Sequence, residues 1–148
     1  MKKFAIVSAL AALSIAAAHA QVKPEDAIAY RQGAYSVIKW NFAPMAAMVK
    51  GEKPYDKAAF ARHAEIVEYM GKLTLEGFIP GSDKGGNTKV KPEAFAKMDD
   101  FKAKMKKMNE ETAKLAAVAK TGSFDDIKKQ FGATGASCKA CHDDYKNK

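Results

Sequence analysis

Cysteine is almost absent from this 148-residue chain, with only Cys138 and Cys141, both close to the C-terminus. Arginine is scarce too: Arg31 and Arg62 stand alone beside many lysines, and no basic run interleaves with aromatics. Nucleic-acid binding is therefore unsupported. No window alternates apolar and polar residues as a half-buried strand would, which argues against a sheet. The longest apolar run, Phe4 to Ala18, is about 15 residues, short of the roughly 20 a helix needs to span a bilayer.

That run has a different reading. Lys2 and Lys3 precede it and Ala18-His19-Ala20 follows it, the order of a secretory leader with an A-x-A cleavage site. A retained membrane anchor is the alternative. Residues 1–20 are expected to be removed, leaving a mature chain from Gln21 to Lys148 that is long enough for one domain with a single core, without a membrane span, exported to the periplasm. Without Lys2 and Lys3 the formal charge falls from +8 to +6. A basic surface can steer acidic partners, although a solvated lysine-rich helical face explains the same composition.

Helix breakers divide the mature chain into four segments. Pro24 suits a first helical turn, and Gly51 to Pro54 ends that helix. Asp56 is a candidate N-cap for a second helix, stopped by Pro80-Gly81. Gly81 to Lys91 reads as a long loop. Pro92 opens a third helix that ends at Thr121-Gly122, and Ser123 with Asp126 forms a capping-box-like start for the fourth. Pro44 should bend the first helix because it removes an internal hydrogen bond.

Apolar spacing turns these helices into a bundle. Met98, Phe101, Met105, Met108, Thr112, Leu115 and Ala119 step alternately by three and four residues. Phe60, Ala64, Val67, Gly71, Thr74 and Phe78 keep the same rhythm, as do Ile28, Arg31, Tyr35, Ile38, Phe42, Met45 and Val49. A 3.5-residue repeat gives left-handed seams with helices crossing near 20°. The expected fold is all-α, an antiparallel left-handed four-helix bundle.

The chemistry concentrates in Cys138-Lys139-Ala140-Cys141-His142. C-x-x-C-H is the attachment signature of c-type haem. On a helix, Cys138, Cys141 and His142 share one face, so two thiols can bond the vinyl groups while the imidazole reaches the iron. A disulfide is a rival reading in an exported chain. A thioredoxin-like site would need a βαβ context, and zinc would need four ligands when only His63 remains in the mature chain beyond these three residues.

The run C-K-A-C-H-D-D-Y at the C-terminal end of a four-helix chain resembles cytochrome c′, the class II c-type cytochromes. So do the start Lys23-Pro24-Glu25-Asp26-Ala27 with Tyr30-Arg31-Gln32 and the approach Phe131-Gly132-Ala133 to Gly135-Ala136-Ser137. The usual strong sixth ligands are Met and His. The resemblance implies that such a Met would lie early in the first helix, yet no Met or His occurs between Gln21 and Pro44. Five-coordinate, high-spin iron is therefore expected. Tyr35 stands at a position similar to the family's distal residue, where it would shield the iron; as a seam residue it is also an ordinary core aromatic. Arg31 and, beside it, Gln32 would meet a haem propionate, with an arginine reaching out to the bundle edge as the alternative. Lys146, one turn after His142, stands where the family often has arginine, and a basic group there would discourage protonation of His142. Lysine lacks the planar fork that stacks on an imidazole. His63 reads as a solvent-side histidine, and Met98, Met105 and Met108 as core filling.

The motif implies one covalent haem c per chain, and the resemblance implies a protein that binds nitric oxide and carbon monoxide, sequesters nitric oxide and changes by one electron. It is not expected to be an enzyme, since peroxidase-like turnover would want a distal His. The family resemblance implies a homodimer through the first two helices. The alternative function is an electron carrier serving a periplasmic redox partner, with no role in gas binding.

Overall fold

In the computed structural model, which describes residues 22–148, Pro24 opens α1 (Pro24–Val49), with Glu25 and Asp26 in its first turn, where the helix dipole favours acidic groups. The helix runs on through Pro44. The expected leader lies outside the described residues. Asp56 caps α2 (Lys57–Leu73) by accepting a hydrogen bond from the Ala59 N–H at 3.0 Å. Ser123 and Asp126 form a full capping box at the start of α5 (Phe124–Tyr145). All described helices are α or 3₁₀, and the described residues contain no strand, only an isolated bridge between Val90 and Lys146.

Two helix limits differ from the sequence reading. The second helix tightens after Leu73 into a 3₁₀ turn, Thr74–Gly77, well before Pro80. The cause is close approach to α1: a Cβ on Gly77 would stand 2.7 Å from Cβ of Arg31 and 2.8 Å from the Ala27 carbonyl oxygen. The third helix is interrupted. A short α3 (Glu93–Ala96) ends at Lys97, which adopts φ −117°, ψ 48°, and α4 (Met98–Thr121) starts afresh. The entry is fixed from behind, because Lys91 N–H donates to the Tyr145 carbonyl at 2.9 Å and Asn147 N–H to that of Lys89 at 2.8 Å.

The long helices α1, α2, α4 and α5 make the bundle. Short connections make α1 and α2 antiparallel neighbours, as they do α4 and α5, and α2 packs on α4. The three-and-four spacing of the buried positions holds: Phe101, Met105, Met108, Thr112, Leu115 and Ala119 on α4 are all buried. Two clusters divide this core. One gathers Met45, Phe60, Ala64, Leu115 and Ile127, and the other gathers Phe78, Phe101, Met105, Cys141 and Tyr145. On the fourth side the Phe42 ring of α1 stacks on the Phe131 ring of α5 beside the first cluster, with centroids 4.4 Å apart.

Candidate haem cavity between α1 and α5

Beyond the Phe42–Phe131 stack, α1 and α5 face one another across a cavity of about 620 Å³ with mainly apolar walls. That volume lies inside the roughly 300–1,000 Å³ range of cofactor sites. Small residues of α5 make the room: Gly135 lines the cavity, and a Cβ there would meet nothing within 4 Å.

The register of α5 is fixed from α4. Gln130 Nε2 donates to Oε2 of buried Glu111 at 2.6 Å and to the Glu111 carbonyl at 3.1 Å, and Thr134 Oγ1 donates to the same carbonyl at 3.2 Å. Lys107 and Lys114 complete the charge balance at 2.8 and 2.9 Å. These bonds hold the Glu111 carboxyl at about 2, well below its ordinary range. One turn after Thr134 the helix presents Cys138, then Cys141 and His142, all lining the cavity. Burial pushes the Cys141 thiol up to about 11 and raises that of Cys138. Burial and, next, the Lys146 ammonium lower the pKa of His142, while Asp143 opposes them. The neutral imidazole is the form that ligates metal.

From α1, Tyr35 enters the cavity with Ile38 and Phe42. Its hydroxyl donates to the Met105 sulfur at 3.8 Å, and burial lifts its pKa to about 12. Tyr35, Cys138, Cys141 and His142, chosen from sequence, thus line one cavity, as do Arg31, Gln32 and Lys146. His63 stays apart, its Nδ1 2.9 Å from Asn41 Oδ1 in a separate groove beside Trp40 and Pro44.

Arg31 has a role that the sequence did not announce. It is 1% exposed; Nη1 donates to the Gly77 carbonyl and to Ser82 Oγ, both at 2.8 Å. Nη2 donates to the Ser82 carbonyl at 2.6 Å and to Thr88 Oγ1 at 2.8 Å, and the guanidinium lies over the Phe78 ring at 4.7 Å. The expectation of a propionate partner narrows accordingly, because Nε carries the one N–H not spent on the loop. Gln32 likewise donates to the Gly86 carbonyl at 3.0 Å. Both residues pin the loop that forms the cavity's upper wall. Lys146 also differs from expectation: α5 stops at Tyr145, and Lys146 is extended (φ −122°, ψ 131°) because it bridges to Val90. It therefore nears His142 from the helix end and not from a continuing helical face.

Sequence reasoning passed over Tyr145, Phe78 and Phe101 as site residues, although each lines the cavity. The signal for Tyr145 was present: it follows Cys141 by four residues and His142 by three, on the same helix face.

A family model described as Cytochrome C′ matches residues 26–146. A curated cytochrome c′ from Rubrivivax gelatinosus is 43% identical over 126 residues, covering 85% of this chain and 98% of that one. The structure of cytochrome c prime from Shewanella frigidimarina superposes with a TM-score of 0.82 at 44% identity, covering 85% of this chain and 98% of that one. Cytochrome c prime from Alcaligenes xylosoxidans, 38% identical with a TM-score of 0.79, covers 86% of this chain and 98% of that one, and has variants solved with nitric oxide and with carbon monoxide bound.

Proposed function

The chain belongs to the cytochrome c′ family, and on that premise we propose that it is a periplasmic haem protein that binds nitric oxide and carbon monoxide at five-coordinate iron, sequestering nitric oxide without catalytic turnover. Cys138 and Cys141 would hold one haem c through thioethers, and His142 would ligate its iron. The haem supplies the iron at which a diatomic gas coordinates and which changes by one electron.

One observation carries this reading: a largely apolar cavity joins Cys138, Cys141 and His142 on α5 to Tyr35, Ile38 and Phe42 on α1, with no imidazole among the α1 residues that line it. The chain's residues then divide the work. Tyr35 enters the cavity from α1, opposite the α5 wall that carries His142, and gas entry would compete with its packing. Its hydroxyl is turned to the Met105 sulfur, which engages that thioether within the core. Val67 and Phe42 keep the pocket apolar, favouring small neutral ligands over anions or water. Lys146 keeps a positive charge beside His142.

Dimerisation through α1 and α2 is supported by the large side chains they expose, Trp40 at 80% and Tyr69 at 65%. The electron-carrier alternative draws on Lys39, Lys89, Lys139 and Lys146, which line the same cavity and would attract an acidic redox partner. An optical spectrum of the purified holoprotein, reduced with dithionite before and after carbon monoxide, separates the two. Broad high-spin bands that shift with the gas are expected. Sharp low-spin bands indifferent to it would sink the gas-binding reading in favour of electron transfer.

A further inference from the structure

Two tyrosines line the haem cavity, and their hydroxyls have opposite partners. Tyr35 faces the Met105 thioether, which cannot take a proton. Tyr145, 5% exposed and one turn beyond His142, donates its hydroxyl to Oδ2 of Asp100. Asp100 is itself exposed, so a proton received there passes readily to water. Phe101 packs edge-on against the Tyr145 ring at 5.3 Å, fixing its plane against the cavity wall. Lys104 is drawn to Asp144 at 3.0 Å, leaving the Asp100 carboxylate as the base that Tyr145 meets.

A phenol bonded to a carboxylate can be oxidised without building a charged radical, because electron and proton leave together. We propose that Tyr145 is a redox-active tyrosine that returns an electron to the haem after hydrogen peroxide has oxidised it, with Asp100 as proton acceptor. The proposal rests on the haem reading above. Hydrogen peroxide would take two electrons at the haem as its O–O bond breaks, one oxygen leaving as water with both of the peroxide's protons and the other staying with the haem. Tyr145 gives one back; its O–H bond breaks, and a new O–H bond forms at Asp100. Tyr145 would become a neutral phenoxyl radical, and the second electron taken by peroxide would come from the haem. Asp100 accepts the phenolic proton, and Tyr145, held protonated with a pKa of about 12, always has one to give.

The experiment is freeze-quench electron paramagnetic resonance of the ferric holoprotein mixed with hydrogen peroxide, with haem content read from the absorption spectrum of each sample beforehand. The native protein should give a tyrosyl signal that narrows when the chain carries ring-deuterated tyrosine. Tyr145→Phe should lower that signal at least tenfold, while Tyr30→Phe, which removes a phenol bonded to the Glu76 carboxylate outside the cavity, leaves it within twofold. Asp100→Asn, which keeps the phenol but removes the base, should lower the yield severalfold and make it rise with pH. A signal undiminished by Tyr145→Phe, or abolished by Tyr30→Phe, overturns the assignment. A chain without covalent haem overturns the underlying reading, and this proposal with it; haem content equal to native with no tyrosyl signal overturns this proposal alone.

Discussion

The two ends of the bundle are built on one seam rhythm and reach opposite results. At the closed end Phe42 stacks on Phe131, Tyr55 on Phe124 at 4.1 Å, and Phe60 meets Phe131 edge-on, so rings fill the space between α1 and α5. At the open end α5 offers Gly135, Cys138 and Cys141 where the closed end has rings and keeps its own rings, His142 and Tyr145, to its last turn, while Phe78, Phe101 and Tyr35 come from the other walls. The difference teaches that a cavity of this size needs no change of fold. Replacing large residues by small ones on a single helix opens it, provided the surrounding seams stay packed. The closed end supplies that packing and the open end spends it.

Truncating the closed end should therefore cost stability and leave ligand chemistry alone. Phe60, 0% exposed, is the sharpest case. Phe60→Ala should lose about 3–5 kcal/mol, the range for a buried phenylalanine, read as a lower urea midpoint with unchanged slope. The carbon monoxide difference spectrum of the surviving folded holoprotein should match the native one. A changed spectrum would mean that the two ends are not separable.

The second test strikes the wall of the open end. Arg31→Ala removes four hydrogen bonds to the Gly77–Thr88 stretch and should cost about 2–3 kcal/mol, since bonds from a charged donor are among the stronger ones. Proteolysis should then cut first between Gly81 and Lys91. Arg31→Lys should not restore the loop, because an ammonium cannot reproduce the planar fork. A loop that resists protease in the alanine variant would show that the bridge of Val90 to Lys146 holds it instead.

Tyr35→Ala inverts the pattern. Stopped-flow association of carbon monoxide with the ferrous protein should quicken about tenfold, which is about 1.4 kcal/mol off the barrier, while the urea midpoint moves less than for Phe60→Ala. An unchanged rate would remove Tyr35 from the distal side and return it to the core.

What could be read from the chain follows the same division. Helix caps are local, so Asp56 and Ser123-Asp126 were legible as starts. The seams were legible because burial recurs at fixed spacing, and Cys138, Cys141 and His142 because their spacing is the chemistry. The roles of Arg31 and Gln32 were not, because their partners lie 46 to 57 residues away in a loop whose path depends on glycines. Gly86, for example, takes φ +56° and passes so close to Ile28 that a Cβ would stand 2.9 Å from it. The early end of α2 was equally hidden, since only the contact of Gly77 with α1 demands it. Tyr145 was visible within the motif but gained meaning only when α4 brought Asp100 to its hydroxyl.

The smallest expected effect lies where the two ends meet. Glu111 belongs to neither cluster, yet its carboxylate and carbonyl bind Gln130 and Thr134, one turn before Cys138. Its pKa of about 2, set by bonds from Lys107, Gln130 and Lys114, lies below the ordinary 4.5 of the unfolded chain. The ionised form therefore stabilises the fold. That contribution is fully present above about 4.5 and drains away as pH falls toward about 2. Glu111→Gln keeps the shape and lacks the titration. Urea midpoints at a series of pH values should show native protein ahead of the variant near neutrality, the gap closing steadily as pH drops through that window. A gap that stays constant would mean that shape, not charge, does the clamping. Because the clamp sets the register of α5 and not the cavity's lining, haem content and the carbon monoxide spectrum at neutral pH should be the same in both proteins. A shifted spectrum would instead make Glu111 part of the open end, and the boundary between the two halves would have to be redrawn one turn closer to Phe131.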